Sequence, residues 1–186
     1  MPIRALVRGG TTEARFKLLF QLTQLSSDEV ESALRDYFVT GIRPGLAASV
    51  YDVPSQNFYR AVKVLEECAV SVEKVKEIDL KPFDQESALQ RFNILLGFTR
   101  ICNSDIICAL LLHLVHQVKS PVAQRKFGVS KQKFSRALIR LRTVSDIIDQ
   151  IKQMDVAHLS PPAVVPHSMF ASRPISPFFS TESQIS

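Results

Sequence analysis

The feature of this sequence that most restricts its fold is an internal repeat with a period of 76 residues. Residues 15–79 align with residues 91–155 without a gap, and 16 of the 65 aligned positions are identical. Many of the other aligned pairs exchange one apolar residue for another, as at Leu18 and Ile94. The alignment predicts two tandem copies of one small unit, joined near residues 80–83. The identical positions, each with its partner 76 residues later, are Arg15, Phe16, Leu19, Thr23, Ala33, Leu34, Val39, Ala47, Val53, Gln56, Phe58, Arg60, Ala61, Leu65, Lys76 and Asp79.

Both copies have the apolar spacing and the start and stop signals of α-helices. In the first copy, Ser26 and Glu29 fit a capping box, Gly41 fits a helix end, and Pro54 fits the first position of a helix. Strand signals are weak throughout. The expected helices cover about residues 11–22, 28–40, 44–50, 54–69 and a last helix to 78, then 84–97, 103–117, 121–126, 130–143 and 145–154.

We therefore predict an all-α fold made of two tandem helical units, each containing a helix-turn-helix. The first unit covers residues 1–80, and the second, more basic unit covers residues 81–156. Residues 157–186 hold five of the ten prolines and only two charged side chains. That composition predicts a disordered tail rich in Pro and Ser.

The segment 119–142 has the pattern of a helix-turn-helix and carries eight Lys or Arg without any Asp or Glu. Ala123 is small enough to let two helices cross closely, Gly128 can adopt a positive φ at the turn, and Ser130 is a good N-cap. The second helix then has an apolar stripe made of Phe134, Ala137, Leu138 and Leu141. Its opposite face carries Gln, Ser and Arg, the side chains that reach base edges in a major groove.

This pattern predicts double-stranded DNA as the partner. The residues expected to contact DNA are Lys119, Arg125, Lys126, Lys131, Gln132, Lys133, Ser135, Arg136, Arg140 and Arg142, and in the first copy Gln56, Arg60 and Lys63. The net charge is −1 for residues 1–80 and +6 for residues 81–156. We therefore expect the second copy to bind DNA more strongly than the first.

Two other interpretations fit a basic amphipathic helix. It can be a solvated surface above an ordinary core stripe, or a helix that binds a calmodulin-type partner or a membrane surface. The turn at Gly128 and the polar spacing of Gln132 and Ser135 favour DNA over the second of these.

No motif in the sequence indicates catalysis, and we expect no enzyme activity, no cofactor and no metal. His113 and His116 lie three residues apart, but no further ligand nearby completes a zinc site. The three cysteines form no CxxC pair, which favours reduced thiols in a cytoplasmic protein. Cys102 and Cys108 are expected in the core. The N-terminus has no signal-peptide pattern, and the longest apolar run is shorter than the about 20 residues that span a bilayer.

The residues Ser27–Gly41, SDEVESALRDYFVTG, resemble the family of enterobacterial adhesin (fimbrial) biosynthesis transcription regulators. The family pattern joins a Phe/Leu-rich helix to a Ser-Asp-x-Val start and an Ala-Leu-x-Asp-Tyr-(apolar)-Val-x-Gly end, and a helix-turn-helix follows. The second copy matches less well, because Leu112 and His113 replace the Asp-Tyr pair. The resemblance implies a bacterial DNA-binding regulator of fimbrial or mobile-element genes, located in the cytoplasm with the nucleoid. Typical members have one unit, so the duplication departs from the pattern.

Two functions are therefore compared below. The first is a transcriptional regulator, expected to be a homo-oligomer without a membrane partner, that binds DNA through its helix-turn-helix segments. The alternative is an assembly or antagonist protein that binds a partner regulator through the first copy and binds DNA with little specificity.

Overall fold

The computed structural model describes residues 6–82 and 84–159, except the side chains of the last two, and within these ranges all regular structure is helical. The predicted all-α class is confirmed. A π-helical segment, Asp36–Thr40, extends the second helix. The helices are α1 (Glu13–Leu22), α2 (Asp28–Arg35), α3 (Pro44–Val50), α4 (Ser55–Asp79), α5 (Gln85–Gly97), α6 (Ser104–Leu114), α7 (Ser120–Lys126) and α8 (Lys131–Leu159).

Local side-chain contacts determine where the early helices begin and end. The Thr12 side chain accepts from the backbone N–H of Arg15 at the start of α1. At α2 the N-cap is Ser27 rather than the expected Ser26, because its hydroxyl accepts from Val30 N over 3.3 Å. No capping box forms there, since Glu29 instead accepts a hydrogen bond from that same hydroxyl. Gly41 ends the π-helical segment with φ 77°, as expected of a glycine at a helix end.

The largest error of the predicted helix boundaries concerns α4 and α8. Each was expected as two helices and is one continuous helix, with 25 residues in α4 and 29 in α8. No Gly or Pro interrupts either segment, and the buried stripe continues past the expected break, through Val72 and Val75 in α4 and through Ile148 and Ile151 in α8. Pro54 is the N-cap of α4 rather than its first helical residue.

Four helices form a closed ring around the core. Both α1 and α5 pack against α4 and against α8, so each of the two long helices has the same two neighbours. Outside this ring, α2 and α3 pack on α4, and α6 and α7 pack on α8. Three phenylalanines, Phe16, Phe58 and Phe134, are at most 1% exposed and fill the core from both halves of the chain. The ring therefore supports a short helix pair on each long helix.

Ion pairs connect the ends of the ring helices. Arg15 of α1 lies 3.2 Å from Asp155 of α8 through its Nε, and Lys76 of α4 also pairs with Asp155. Arg91 of α5 donates to Asp79 of α4 over 2.9 Å. Lys152 of α8 also pairs with Asp79. Each of the two aspartates thus receives two cations from two other helices.

Two further expectations concern the burial of Cys102 and Cys108 and the predicted tail. Cys102 and Cys108 are exposed, so the expectation that they are core residues was wrong. The buried residues of α6 are Ala109 and Leu110, which directs the neighbouring Cys108 outward. In the predicted tail, α8 continues to Leu159, and residues 160–186 lie outside the described residues.

Candidate nucleic-acid interface

The segment from α7 to the start of α8 forms a compact turn between two helices. Ala123 is fully buried where α7 packs on α8. Gly128 has φ 62°, so the turn uses the conformation for which glycine has little cost. Val129 N donates to Gln124 O over 3.0 Å and closes the turn. Ser130 Oγ accepts from Lys133 N over 3.4 Å, which caps α8 as expected.

The first three turns of α8 separate an apolar face from a polar one. Phe134, Ala137 and Leu141 are buried, and Leu138 is half-buried against the core. On the other face, Gln132, Arg136 and Arg140 are exposed at intervals of four residues. Such spacing arranges the side chains one above the next along the helix. The stripe and its polar opposite face agree with the sequence prediction.

The basic side chains of residues 119–142 all face solvent. None of these eight cations forms an ion pair within the described part of the chain. By contrast, Arg15, Lys76, Arg91 and Lys152 are neutralised by carboxylates in the ring. The unpaired cations are Lys119, Arg125, Lys126, Lys131, Lys133, Arg136, Arg140 and Arg142.

Several predicted contact residues lie at the margin of this surface. Ser135 is half-buried. Arg142 lies about 120° around α8 from Arg136, at about 100° per residue, and so faces another direction. Arg140 lines a cavity together with Gln24 and Arg100, outside the turn itself. The group of predicted contact residues that lies around the turn and on one face of α8 is therefore smaller than the sequence suggested.

At the end of α7, Arg125 and Lys126 lie beside the turn. Arg125 lines a shallow cleft with Gly128 and Ser130. The Lys126 Nζ lies 5.8 Å from the centre of the Phe127 ring, a cation–π contact that leaves the ammonium group exposed. Both cations thus flank the start of α8, next to Lys131 and Lys133.

The matching surface of the first half is less basic. Gln56 and Arg60 are exposed on α4, without an ion pair in the described structure. Lys63 lies 3.8 Å from Glu67, and both side chains are well exposed. Such a pair contributes about 0.3–0.5 kcal/mol and leaves Lys63 accessible.

Apolar side chains that sequence reasoning missed also lie on this surface. Leu46, Val50 and Tyr59 are each more than half exposed. The repeat alignment contained a signal, because Lys126 and Ser135 stand where the first copy has Val50 and Tyr59. The first half is therefore apolar at two positions where the second half is polar, while the second half exposes Val122 and Ile139.

His113 at the end of α6 and His116, which follows that helix, have ordinary hydrogen-bond partners. His113 Nδ1 lies 2.8 Å from Val118 O, and His116 Nδ1 lies 2.9 Å from the Gln85 amide nitrogen. Among the described residues, no group of three or more His, Cys, Asp or Glu side chains is placed to hold a metal ion.

Comparison of the chain with protein-family models, with curated proteins and with solved structures finds no match. Over the described helices, none combines the length and the apolar character needed to cross a membrane.

Proposed function

We propose that the chain is a DNA-binding transcriptional regulator that uses α7, the turn at Gly128 and the start of α8 as its principal helix-turn-helix. The observation that supports this most directly is the set of eight exposed cations in residues 119–142, none of which is neutralised by a carboxylate of the described chain. Such a cluster attracts DNA phosphates, because each contact releases condensed counterions.

The polar face of α8 supports base contacts as well as phosphate contacts. Gln132 and Arg136 are exposed one turn apart, close to the N-terminus of the helix. Arg forms bidentate hydrogen bonds with guanine, and Gln forms them with adenine. In helix-turn-helix proteins the N-terminal residues of the second helix contact base edges. We therefore assign base contacts to Gln132 and Arg136, and phosphate contacts to Lys119, Arg125, Lys126, Lys131, Lys133 and Arg140.

The gene class and cellular location rest on the resemblance of Ser27–Gly41 to fimbrial regulators. Under this proposal the protein acts in the bacterial cytoplasm, at the nucleoid, on fimbrial, adhesin or mobile-element genes, and it is a binding protein without enzymatic activity. Selection of bound fragments from a bacterial genomic library would identify the targets. Recovered fragments with no relation to surface-structure or mobile-element genes would contradict this assignment while leaving DNA binding intact.

The test of DNA binding itself is its dependence on salt. If several of the eight cations contact phosphates, a plot of log affinity against log salt should have a slope of roughly −4 to −7. Lys131→Ala should make the slope smaller in magnitude by about 1. Lys17→Ala is the matched control, because Lys17 is exposed but pairs with Glu13 on α1. A slope near zero would contradict the proposal.

A second function is supported by the apolar surface of the first half. Leu46, Val50 and Tyr59 could bind a partner regulator, as an assembly or antagonist protein would. In that case the triple substitution Leu46→Ser, Val50→Lys and Tyr59→Ser should abolish regulation in cells but leave DNA affinity in vitro unchanged. The regulator proposal instead predicts that these substitutions change the DNA affinity measured in vitro.

A further inference from the structure

We infer that the two halves form a two-fold arrangement within one chain, so that a single chain binds an inverted repeat of two unequal DNA half-sites. The inference rests on the proposed DNA binding and adds the symmetry of the target and the number of chains on it. It follows from contacts that relate residues 6–82 to residues 84–159.

Four ion pairs between ring helices are reciprocal, whereas the pair of Arg15 with Glu73 has no counterpart at Arg91 and Asp149 in the described structure. Arg15 pairs with Asp155, and the residues 76 positions away, Arg91 and Asp79, pair with each other. In the same way, the pair of Lys76 with Asp155 corresponds to the pair of Lys152 with Asp79. When residue i of one copy contacts residue j of the other and j contacts i, the interface is isologous, as in a two-fold dimer.

The ion-paired groups also lie close together. Among the described residues that line one cavity, Lys76 and Lys152, Asp79 and Asp155, and Leu80 and Val156 form three equivalent pairs, whereas Arg15 and Glu73 line it without their equivalents. Leu80 and Val156 are themselves 76 positions apart. A cavity lined by equivalent residues from both halves is expected where a two-fold axis passes through the molecule.

A second point on the axis lies at the other end of α1. Arg100 Nε donates to Gln24 Oε1 over 3.0 Å, and residues 24 and 100 are equivalent in the repeat. When a two-fold rotation relates the two copies, equivalent residues can contact each other only close to the axis. This contact and the ion-paired cavity therefore define the direction of the axis.

Backbone geometry follows the same relation. The bounds of α3 and α7 differ by 76 at both ends. Positive φ values occur at Gly41 and Gln117, 77° and 55°, and again at Asp52 and Gly128, 52° and 62°. Both pairs are 76 positions apart. The turn that precedes each long helix is thus the same in the two halves.

The two proposed DNA-binding surfaces are equally far from the ion-paired cavity. Gln56 lies 20 residues before Lys76, and Gln132 lies 20 residues before Lys152, which corresponds to about 30 Å of α-helix in each case. A protein with two equivalent surfaces about a two-fold axis matches the two-fold symmetry of duplex DNA. The half-sites must then run in opposite directions, as an inverted repeat.

The half-sites are unequal because the two surfaces differ. Residues 119–142 carry a charge of +8, whereas the equivalent residues 43–66 carry three cations and two carboxylates, a charge of +1. Val50 and Tyr59 in the first half replace Lys126 and Ser135. The second half should therefore supply most of the affinity, although both halves carry the Gln and Arg to which base contacts are assigned.

The test is a selection of binding sites by the full-length chain from a duplex library with a random central region. We expect an inverted repeat of two half-sites that contribute unequally to the affinity, and native mass spectrometry should find one chain per duplex. Reversing one half-site to make a direct repeat at the same spacing should weaken binding about tenfold, to the level of a single half-site.

The possible results separate the two proposals. Enrichment of a direct repeat or of a single half-site would overturn the inverted-repeat inference, and so would two chains per duplex, which is the result expected of a homo-oligomer. In these cases the DNA-binding proposal would stand. Failure to enrich any sequence, with no binding to unselected duplex, would overturn both.

Discussion

Arg100 contacts Gln24, the residue that precedes it by 76 positions, through a hydrogen bond of 3.0 Å from Nε to Oε1. The contact joins the segment that follows α5 to the segment that follows α1. The two side chains differ, so the junction is polar but not symmetric in charge. Arg140, near the end of the basic segment of α8, lines the same cavity. The junction of the two halves therefore carries positive charge on one side only.

The first prediction concerns the reciprocal ion pairs. Asp79 and Asp155 each pair with one Arg and one Lys, and their side chains are each 28% exposed. Each substitution removes two ion pairs, although Arg15 and Lys76 keep Glu73 and Lys152 keeps Asp149. Asp79→Asn and Asp155→Asn should therefore each lower the free energy of unfolding by about 1 kcal/mol. Urea denaturation of both variants measures this.

The control for these substitutions is Asp146→Asn. Asp146 lies on α8, is exposed and forms no ion pair in the described structure, so the change should stay within about 0.5 kcal/mol. Burial by itself lowers the pKa of Lys152, but its hydrogen bonds to Asp149 and Asp79 more than offset this and leave the pKa raised. Equal effects of all three substitutions would show that the reciprocal pairs have no special role.

The repeat predicted which residues are equivalent, but not which half supplies the partner of each. Lys76 and Asp79 lie three residues apart on α4, a spacing that also fits an ion pair within one helix. Whether Asp79 pairs with Lys76 or with Lys152 depends on how the long helices meet, which is a property of tertiary packing. The reciprocal pairs therefore could not be derived from the sequence. All six residues, Arg15, Lys76, Asp79 and their equivalents Arg91, Lys152 and Asp155, were nevertheless among the identical positions.

The second prediction concerns the turn at Gly128. A Cβ at this position would meet no atom within 4 Å, so the effect of a substitution comes from the positive φ alone. Gly128→Ala should therefore lower the free energy of unfolding by about 1–2 kcal/mol. Gly128→Asn should cost less, because Asn tolerates this conformation better and because Asp52 already adopts it at the equivalent position. Equal melting temperatures for wild type and Gly128→Ala would contradict the assigned turn.

The third prediction concerns thiol reactivity. Cys68 is buried and its Sγ lies 3.6 Å from Leu19 O, and burial raises the pKa of its thiol to about 12. Cys102 and Cys108 are exposed. A disulfide reagent at pH 8 should thus modify two thiols rapidly in the folded protein and the third only after unfolding.

The matched control is Cys68→Val, since Val144 occupies the equivalent position in the second half. This variant should retain two rapidly reacting thiols and lose only the slow one. Three rapid thiols in the wild-type protein would show that the packing of α4 against α1 is looser than described.

The sequence predicted local features best where one residue type decides them. Pro44 and the turn at Tyr51 bound α3, and its predicted range was correct at both ends. The continuity of α4 and α8 was missed because their second halves gain stability from α1 and α5, which are distant in sequence. The helical periodicity of the apolar residues was enough to predict the polar face of α8. The exposure of Leu46 and Val50 depends instead on where α3 packs.

The last prediction concerns Arg136 and its equivalent, Arg60. Both are exposed on a long helix, four residues after an exposed Gln, and neither forms an ion pair in the described structure. In particular, Glu67 pairs with Lys63 rather than with Arg60. If Arg136 makes a bidentate contact with a guanine, Arg136→Ala should weaken binding by about 1–3 kcal/mol and relax the sequence preference at one position. Lys126→Ala should instead weaken binding to all sequences alike, because phosphate contacts carry no sequence information.

If the first half also reads DNA, Arg60→Ala should relax one position in the other half-site, whereas an assembly role for that half would leave DNA affinity nearly unchanged. Affinities for single-base variants of the selected site, measured beside the melting temperature of each mutant, decide the matter. A fall in melting temperature without any change in base preference would mean that these arginines stabilise the fold and do not read DNA.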